Sequence, residues 1–147
     1  MKEEEIVVAH PSYYNKGKIE VCDFIASVDL DFFTGNAVKY LSRAGMKPGV
    51  PASKDLEKAI FYLELAKKWY AGRNEELSVE YLKGAMESTG DFCKDQDFEI
   101  NRDSATRNIV RANYEKAITD ITLLLTGIKE GWAVIEENGT VVFSGKK

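Results

Sequence analysis

The apolar and polar positions divide the chain into three stretches. The first runs from about Ile6 to Gly72 and is dense in helix signals. Ile19–Val28 (IEVCDFIASV) is apolar except at Glu20, Asp23 and Ser27. Those three share one side of a helix, so its other sides are expected to face a core. Phe32–Gly45 places Phe33, Ala37, Leu41 and Ala44 in an apolar stripe at helical spacing, with Gly45 as the stop. The loop MKPGVPAS follows, Ser53 is the expected cap, and KDLEKAIFYLELAKKWYAG forms a helix burying Leu56, Ile60 and Leu63.

The second stretch, Asn74–Asp103, offers one helix in NEELSVEYLKGAMES. The acidic, aperiodic GDFCKDQDFEINRD after it reads as a loop or lid. The third begins with a cap at Ser104 and a long helix to about Thr126. Ile109, Ala112, Lys116, Ile118, Ile121 and Leu125 trace its buried side, and Gly127 and Gly131 punctuate its end. Asn138-Gly139 between WAVIEE and TVVFSG is a strong hairpin signal. One hairpin alone is marginal, so it is expected to pack on the long helix or to take a third strand from Ile6–Ala9. The expected fold is mainly α: a single compact helical domain over 1–147 with a C-terminal antiparallel β-hairpin. Its parts are a helical core at 9–72, a helix plus acidic loop at 73–103, and the long helix and hairpin at 104–147.

Charge narrows the partners. The 20 basic and 24 acidic residues leave a formal net charge of -4, which argues against generic duplex-DNA binding but permits a local basic patch for a small anion. No apolar run reaches membrane-spanning length, and MKEEEIVV lacks the apolar region of a signal peptide, so a cytoplasmic location and no membrane partner are expected. Cys22 and Cys93 have no zinc-type spacing and are expected to be reduced, buried small hydrophobes.

The sequence lacks GxxxxGK[ST], GxSxG and HExxH, and His10 is its single histidine. What remains is polar positions on apolar helices. Asn36, Lys39 and Arg43 lie at i, i+3 and i+7, opposite the Ala37–Leu41 stripe, and Lys47 follows in a Gly-bounded loop. An amide and cations in that arrangement suit a base edge and phosphates, or simply a solvated face. Glu20 and Asp23, one turn apart, suit magnesium, which takes one or two carboxylates plus phosphate oxygens; the alternative is a polar stripe facing water. Asp55, Lys58 and Tyr62 share a flank of the next helix, where Asp55 and Lys58 can pair. His10 opens HPSYYNKGK, whose Tyr13 and Tyr14 supply flat surfaces for base stacking, worth ~1–3 kcal/mol per base.

HPSYYNKGKIEVCDFI, FFTGNAVKYLSRAGMKPG and DLEKAIFYLE, in that order, resemble a family of small phage-encoded domains long catalogued as of unknown function. One member, from a short-tailed coliphage, is a nucleoside monophosphate kinase without a P-loop. The resemblance covers about Ala9 to Lys67, under half of the chain. It implies a phage-type protein of the host cytoplasm that binds a phosphorylated nucleotide. The implied reaction transfers a phosphoryl group from a nucleoside triphosphate to a (deoxy)nucleoside monophosphate.

It raises the weight on His10, Tyr13, Glu20, Asp23, Asn36, Lys39, Arg43, Lys47, Asp55 and Lys58, with Tyr14 and Tyr40 joining the ligand-binding set. On this reading Lys39, Arg43 and Lys47 neutralise phosphates, Glu20 and Asp23 hold Mg2+, Asn36 and Tyr13 orient the base, and His10 is a phosphate donor or proton shuttle. Two rivals stay open: a non-catalytic sponge for a host nucleotide signal, and an all-α nucleotide pyrophosphohydrolase. A homo-oligomer with sites near subunit boundaries is also expected, because Phe61 and Trp69 lie away from Leu56, Ile60 and Leu63 and need a cover. The characterised relative is oligomeric as well.

Overall fold

The computed structural model describes residues 17–72 and 76–144. Among these, helices α1 (Val21–Ser27), α2 (Phe32–Arg43), α3 (Ala52–Tyr70), α4 (Val79–Asp95), α5 (Ile100–Val110) and α6 (Tyr114–Glu130) precede strands β1 (Ala133–Ile135) and β2 (Val141–Phe143). The mainly α fold with a C-terminal hairpin is therefore the observed one.

Local chemistry fixes most helix starts. Asp31 and Thr34 form a capping box on α2: the Asp31 carboxylate accepts from the Thr34 N–H at 2.8 Å, and the Thr34 hydroxyl oxygen accepts from the Asp31 N–H at 3.1 Å. Ser78 caps α4, Glu99 caps α5 and Asn113 caps α6 through their side chains. Helix α6 stops at Gly131, whose φ of 87° is the left-handed conformation glycine adopts at low cost.

The most extensive helix pair is α2 against α3, and small residues make it close. Ala37, Ala44, Ala59 and Ala66 are all fully buried, between Val38, Leu41, Leu56 and Leu63. Helix α6 covers the same core with Ala117, Ile121 and Leu124, and α5 adds Ala105 and Ile109. The short α1 enters through Val21, Phe24 and Val28. The Phe24 ring stacks on Phe92 of α4 with centroids 4.1 Å apart.

The strands pair antiparallel with Val134 opposite Val142, and Asn138-Gly139 sits in the connecting turn as expected. The hairpin packs on α6 and on the end of α2. Trp132 lies against Gly127, and Ile135 sits so close to Gly45 that a Cβ there would fall 2.4 Å from Ile135 Cγ2. The expected third strand at Ile6–Ala9 lies outside the described residues.

Several sequence-based expectations need correction. The acidic segment read as a loop is helical: α4 continues to Asp95, and α5 begins at Ile100. It is ordered by contacts distant in sequence. Phe92 is fully buried, Asp95 accepts from the Lys18 and Ile19 N–H groups at 3.1 and 2.7 Å, and the Gln96 amide donates to the Ile19 carbonyl. The long third-region helix is two helices, broken at Arg111–Asn113, where Ala112 has φ 64°. Ser104 is no cap; inside α5, it donates to Asp120 Oδ2 at 2.7 Å. Ala112 and Lys116, read as buried, are exposed. Helix α3 starts after Pro51, so Ser53 lies within its first turn. Cys22 and Ala26 face solvent, so α1 is apolar to the core on one side only.

Candidate functional site

Helices α2 and α3 together build one cationic, aromatic surface. Along α2, Asn36, Tyr40 and Arg43 follow at helical spacing; along α3, Lys58 and Tyr62 do the same. The Tyr40 ring is the centre. Lys39 Nζ lies 4.7 Å from its centroid, the Arg43 guanidinium 4.7 Å, and Lys58 Nζ 5.1 Å. Each contact is of cation–π type. Tyr62 stacks against Tyr40, with centroids 5.9 Å apart and planes 9° from parallel.

Arg43 is 3% exposed and Asp55 fully buried. Arg43 Nε and Nη2 both donate to Asp55 Oδ1, at 3.0 and 2.9 Å. Asp55 therefore takes Arg43, on the facing helix, rather than Lys58 in its own. Its second oxygen, Oδ2, is buried without a hydrogen-bond partner. Arg43 is thus committed to holding α2 on α3, while its charge stays next to the Tyr40 ring.

The other sequence-derived candidates fall as follows. Asn36 turns its amide back onto its own helix, donating to the Phe32 carbonyl at 2.7 Å. Lys47 is half-buried in the turn after α2. Glu20 is the N-cap residue of α1, and Asp23 sits exposed in that helix's first turn. These two carboxylates would supply at most part of a magnesium shell, the rest being phosphate oxygens and water. Among the described residues no group of three or more His, Cys, Asp or Glu side chains is arranged to hold a metal. His10, Tyr13 and Tyr14 lie outside the described residues.

A concavity of about 450 Å³ opens away from this surface, where the α1–α2 link meets the end of α3 and the starts of α4 and α6. Asp29, Asp31, Tyr70, Tyr81 and Tyr114 line it, and the sequence reading singled out none of them. They come from separate elements, so no local spacing joins them; only the capping pattern at Asp31 carried a signal. Two of its hydroxyls serve the fold: Tyr70 donates to Asp31, and Tyr81 to the Val28 carbonyl. Burial, aided by nearby Asp31 and Tyr81, pushes the Tyr114 hydroxyl up to about 12, so at neutral pH it is a protonated donor. Burial also pushes the Cys93 thiol to about 12, which removes it as a nucleophile. Of the two places, the Tyr40 surface brings charges together, whereas in the cleft Asp31, Tyr70 and Tyr81 are engaged in hydrogen bonds within the fold.

No helix among the described residues is long and apolar enough to cross a membrane. No curated protein and no solved structure matches the chain. Residues 8–64, which include α1, α2, most of α3 and every cation around Tyr40, are similar to a family described as a protein of unknown function, DUF3310.

Proposed function

We propose that the α2–α3 surface binds a phosphorylated nucleotide, with its phosphates between Lys39 and Lys58 and its base beside Tyr62. The observation that carries this reading is the convergence of Lys39, Arg43 and Lys58 within 4.7–5.1 Å of one tyrosine ring. An anion placed between Lys39 and Lys58 is attracted by both, while their mutual repulsion falls. Arg43 acts as a positioning residue: its charge is balanced by Asp55, and the pair holds the helix turn that carries Tyr40.

Phosphoryl transfer to a (deoxy)nucleoside monophosphate is the fuller reading, supported by the resemblance to a phage-encoded family one member of which is a nucleoside monophosphate kinase without a P-loop. Such a reaction needs orientation and charge neutralisation more than covalent chemistry, which a cationic surface supplies. Glu20 and Asp23 would hold a magnesium ion, whose chemistry is to neutralise charge developing on the transferred group. A non-catalytic nucleotide sponge is favoured by one observation: the carboxylate described beside Tyr40, Asp55, is buried and already engaged by Arg43.

Lys39→Ala with Lys58→Ala is expected to weaken deoxynucleoside monophosphate binding by about 1.5–3 kcal/mol, the scale of one charged hydrogen bond. The melting temperature should hold, since Lys58 is exposed and Lys39 only half-buried. Calorimetry giving the same affinity for variant and parent would overturn the site. Incubation with a nucleotide panel and magnesium, followed by chromatography, separates the chemistries: new diphosphate marks a kinase, released pyrophosphate a hydrolase, and unaltered co-eluting ligand a sponge. If diphosphate forms, it should disappear with excess chelator and in the Glu20→Gln, Asp23→Asn double variant; activity surviving either treatment removes the metal from the mechanism.

A further inference from the structure

The aromatic surface does not end at Tyr62. Phe61 and Phe32 meet the Tyr62 ring edge-on, at 5.4 and 6.0 Å between centroids. Phe33 touches Phe32 at 5.9 Å, and Trp69 follows at 6.2 Å. Phe32 is 70% exposed, Phe61 57% and Trp69 52%. On α3 the stripe Lys58, Phe61/Tyr62, Leu65 and Trp69 runs on helical spacing over about 16 Å. One base covers one ring, so a mononucleotide on Tyr40 and Tyr62 does not account for the exposed rings of Phe61 and Phe32.

We infer that this face is a platform for single-stranded nucleic acid, taking successive bases along Phe61, Tyr62 and Phe32 and backbone phosphates on Lys39 and Lys58. The inference rests on the phosphate reading of the Tyr40 cluster and extends it from one nucleotide to several. Sequence-tolerant binding of single strands combines flat rings with cations for the backbone, and here the rings run on from a pair of lysines at Tyr40. The overall acidity of the chain does not oppose it, because the relevant charge is local.

Charge separates a nucleic acid from the competing occupant, a second copy of this chain. Helix α2 contains no Asp or Glu. On α3, Asp55 is buried with Arg43, Glu57 pairs with Lys129 at 3.2 Å, and Glu64 with Lys67 at 3.6 Å. Asp31, beside Phe32, is occupied by Thr34 and Tyr70. A symmetric self-contact through the Tyr40 end of this face would set Lys39 and Lys58 of one copy against those of the other, and among the described residues the exposed carboxylates of α3, Glu57 and Glu64, are already paired with Lys129 and Lys67. A polyanion with flat bases matches both of its features.

The test measures anisotropy of a labelled oligothymidylate of about 12 nucleotides, a typical site size, beside calorimetry with thymidine monophosphate. The oligonucleotide should bind at least about tenfold tighter, and more weakly as salt rises. Phe61→Ala with Phe32→Ala, both more than half exposed, should cost the oligonucleotide about tenfold or more and leave the mononucleotide and the melting temperature unchanged. Equal affinities for the two probes would overturn this inference alone. Binding of neither would overturn the phosphate reading with it. A multiple of the 16.5 kDa chain mass in light scattering, lost in the double variant and accompanied by no oligonucleotide binding, would give the face to a second copy instead.

Discussion

Replacing Arg43 by Met, or Asp55 by Leu, is expected to destabilise the protein by about 3–5 kcal/mol, while the double replacement costs much less than the sum. The pair sits at the α2–α3 contact, with the Arg43 side chain 4% and the Asp55 side chain 0% exposed. Either single change strands a charge where water cannot reach it. The double change removes both charges and leaves apolar groups of similar volume in a contact built of alanines and leucines. Urea unfolding of the four proteins supplies the cycle. Single variants that lose under about 1 kcal/mol, as exposed pairs do, would show the pair to be hydrated and the geometry misread. The same experiment bears on function. The sequence reading makes Arg43 a phosphate ligand; its burial with Asp55 makes it a structural residue instead. Nucleotide affinity should therefore be measured on variants of Lys39 and Lys58, neither of which is buried, before an Arg43 variant is interpreted.

How far the sequence was legible depends on whether the deciding contacts were local. Helices α2 and α3 carry their own stops, stripes and glycines, so spacing alone located them. The hairpin announced itself through Asn138-Gly139. The cluster of Lys39, Arg43, Asp55 and Lys58 was visible as polar positions on two apolar helices, although which charge would meet which was not. Asp55 has Lys58 three residues away and still pairs across to Arg43, because α2 and α3 approach closely enough over their alanines to bring Arg43 to it. The path of exposed rings was legible only as two residues, Phe61 and Trp69, on the outer side of α3. Their continuation through Phe32 and Phe33 needed the two helices side by side. The acidic stretch failed for the opposite reason. Phe92 and Asp95 look unremarkable locally, and their partners, Phe24 and the Lys18 and Ile19 N–H groups, lie some seventy residues earlier. The break between α5 and α6 has neither Gly nor Pro; Asn113, an N-cap residue type, was its one signal.

A second large effect is expected at Arg102, which no motif marked. It is 1% exposed, and its guanidinium binds three parts of the chain. Nε donates to Glu99 at 2.8 Å, Nη1 to the Leu41 carbonyl of α2 at 3.3 Å, and Nη2 to the Gly139 carbonyl in the hairpin turn. The group also lies 4.9 Å from the Phe98 ring centroid. Arg102→Met keeps most of the stem volume and removes every side-chain donor. The Leu41 and Gly139 carbonyls lose their partner, and the Glu99 carboxylate keeps only its cap bond to the residue 102 N–H, at 2.7 Å. Breaking such a buried charged group is expected to cost about 3–5 kcal/mol. For a chain of this size each kcal/mol lowers Tm by roughly 2–4 °C, so the melt should fall by about 6–20 °C. The loss should also be uneven. Arg102 is the side chain that ties the hairpin turn to α2 and α5, so amide exchange over Ala133–Phe143 should quicken more than over α3, whose packing on α2 and α6 is untouched. Uniform acceleration across both would show that Arg102 stabilises the whole core rather than docking the hairpin. A Tm within about 2 °C of the parent, less than 1 kcal/mol on this scale, would show that water replaces its hydrogen bonds.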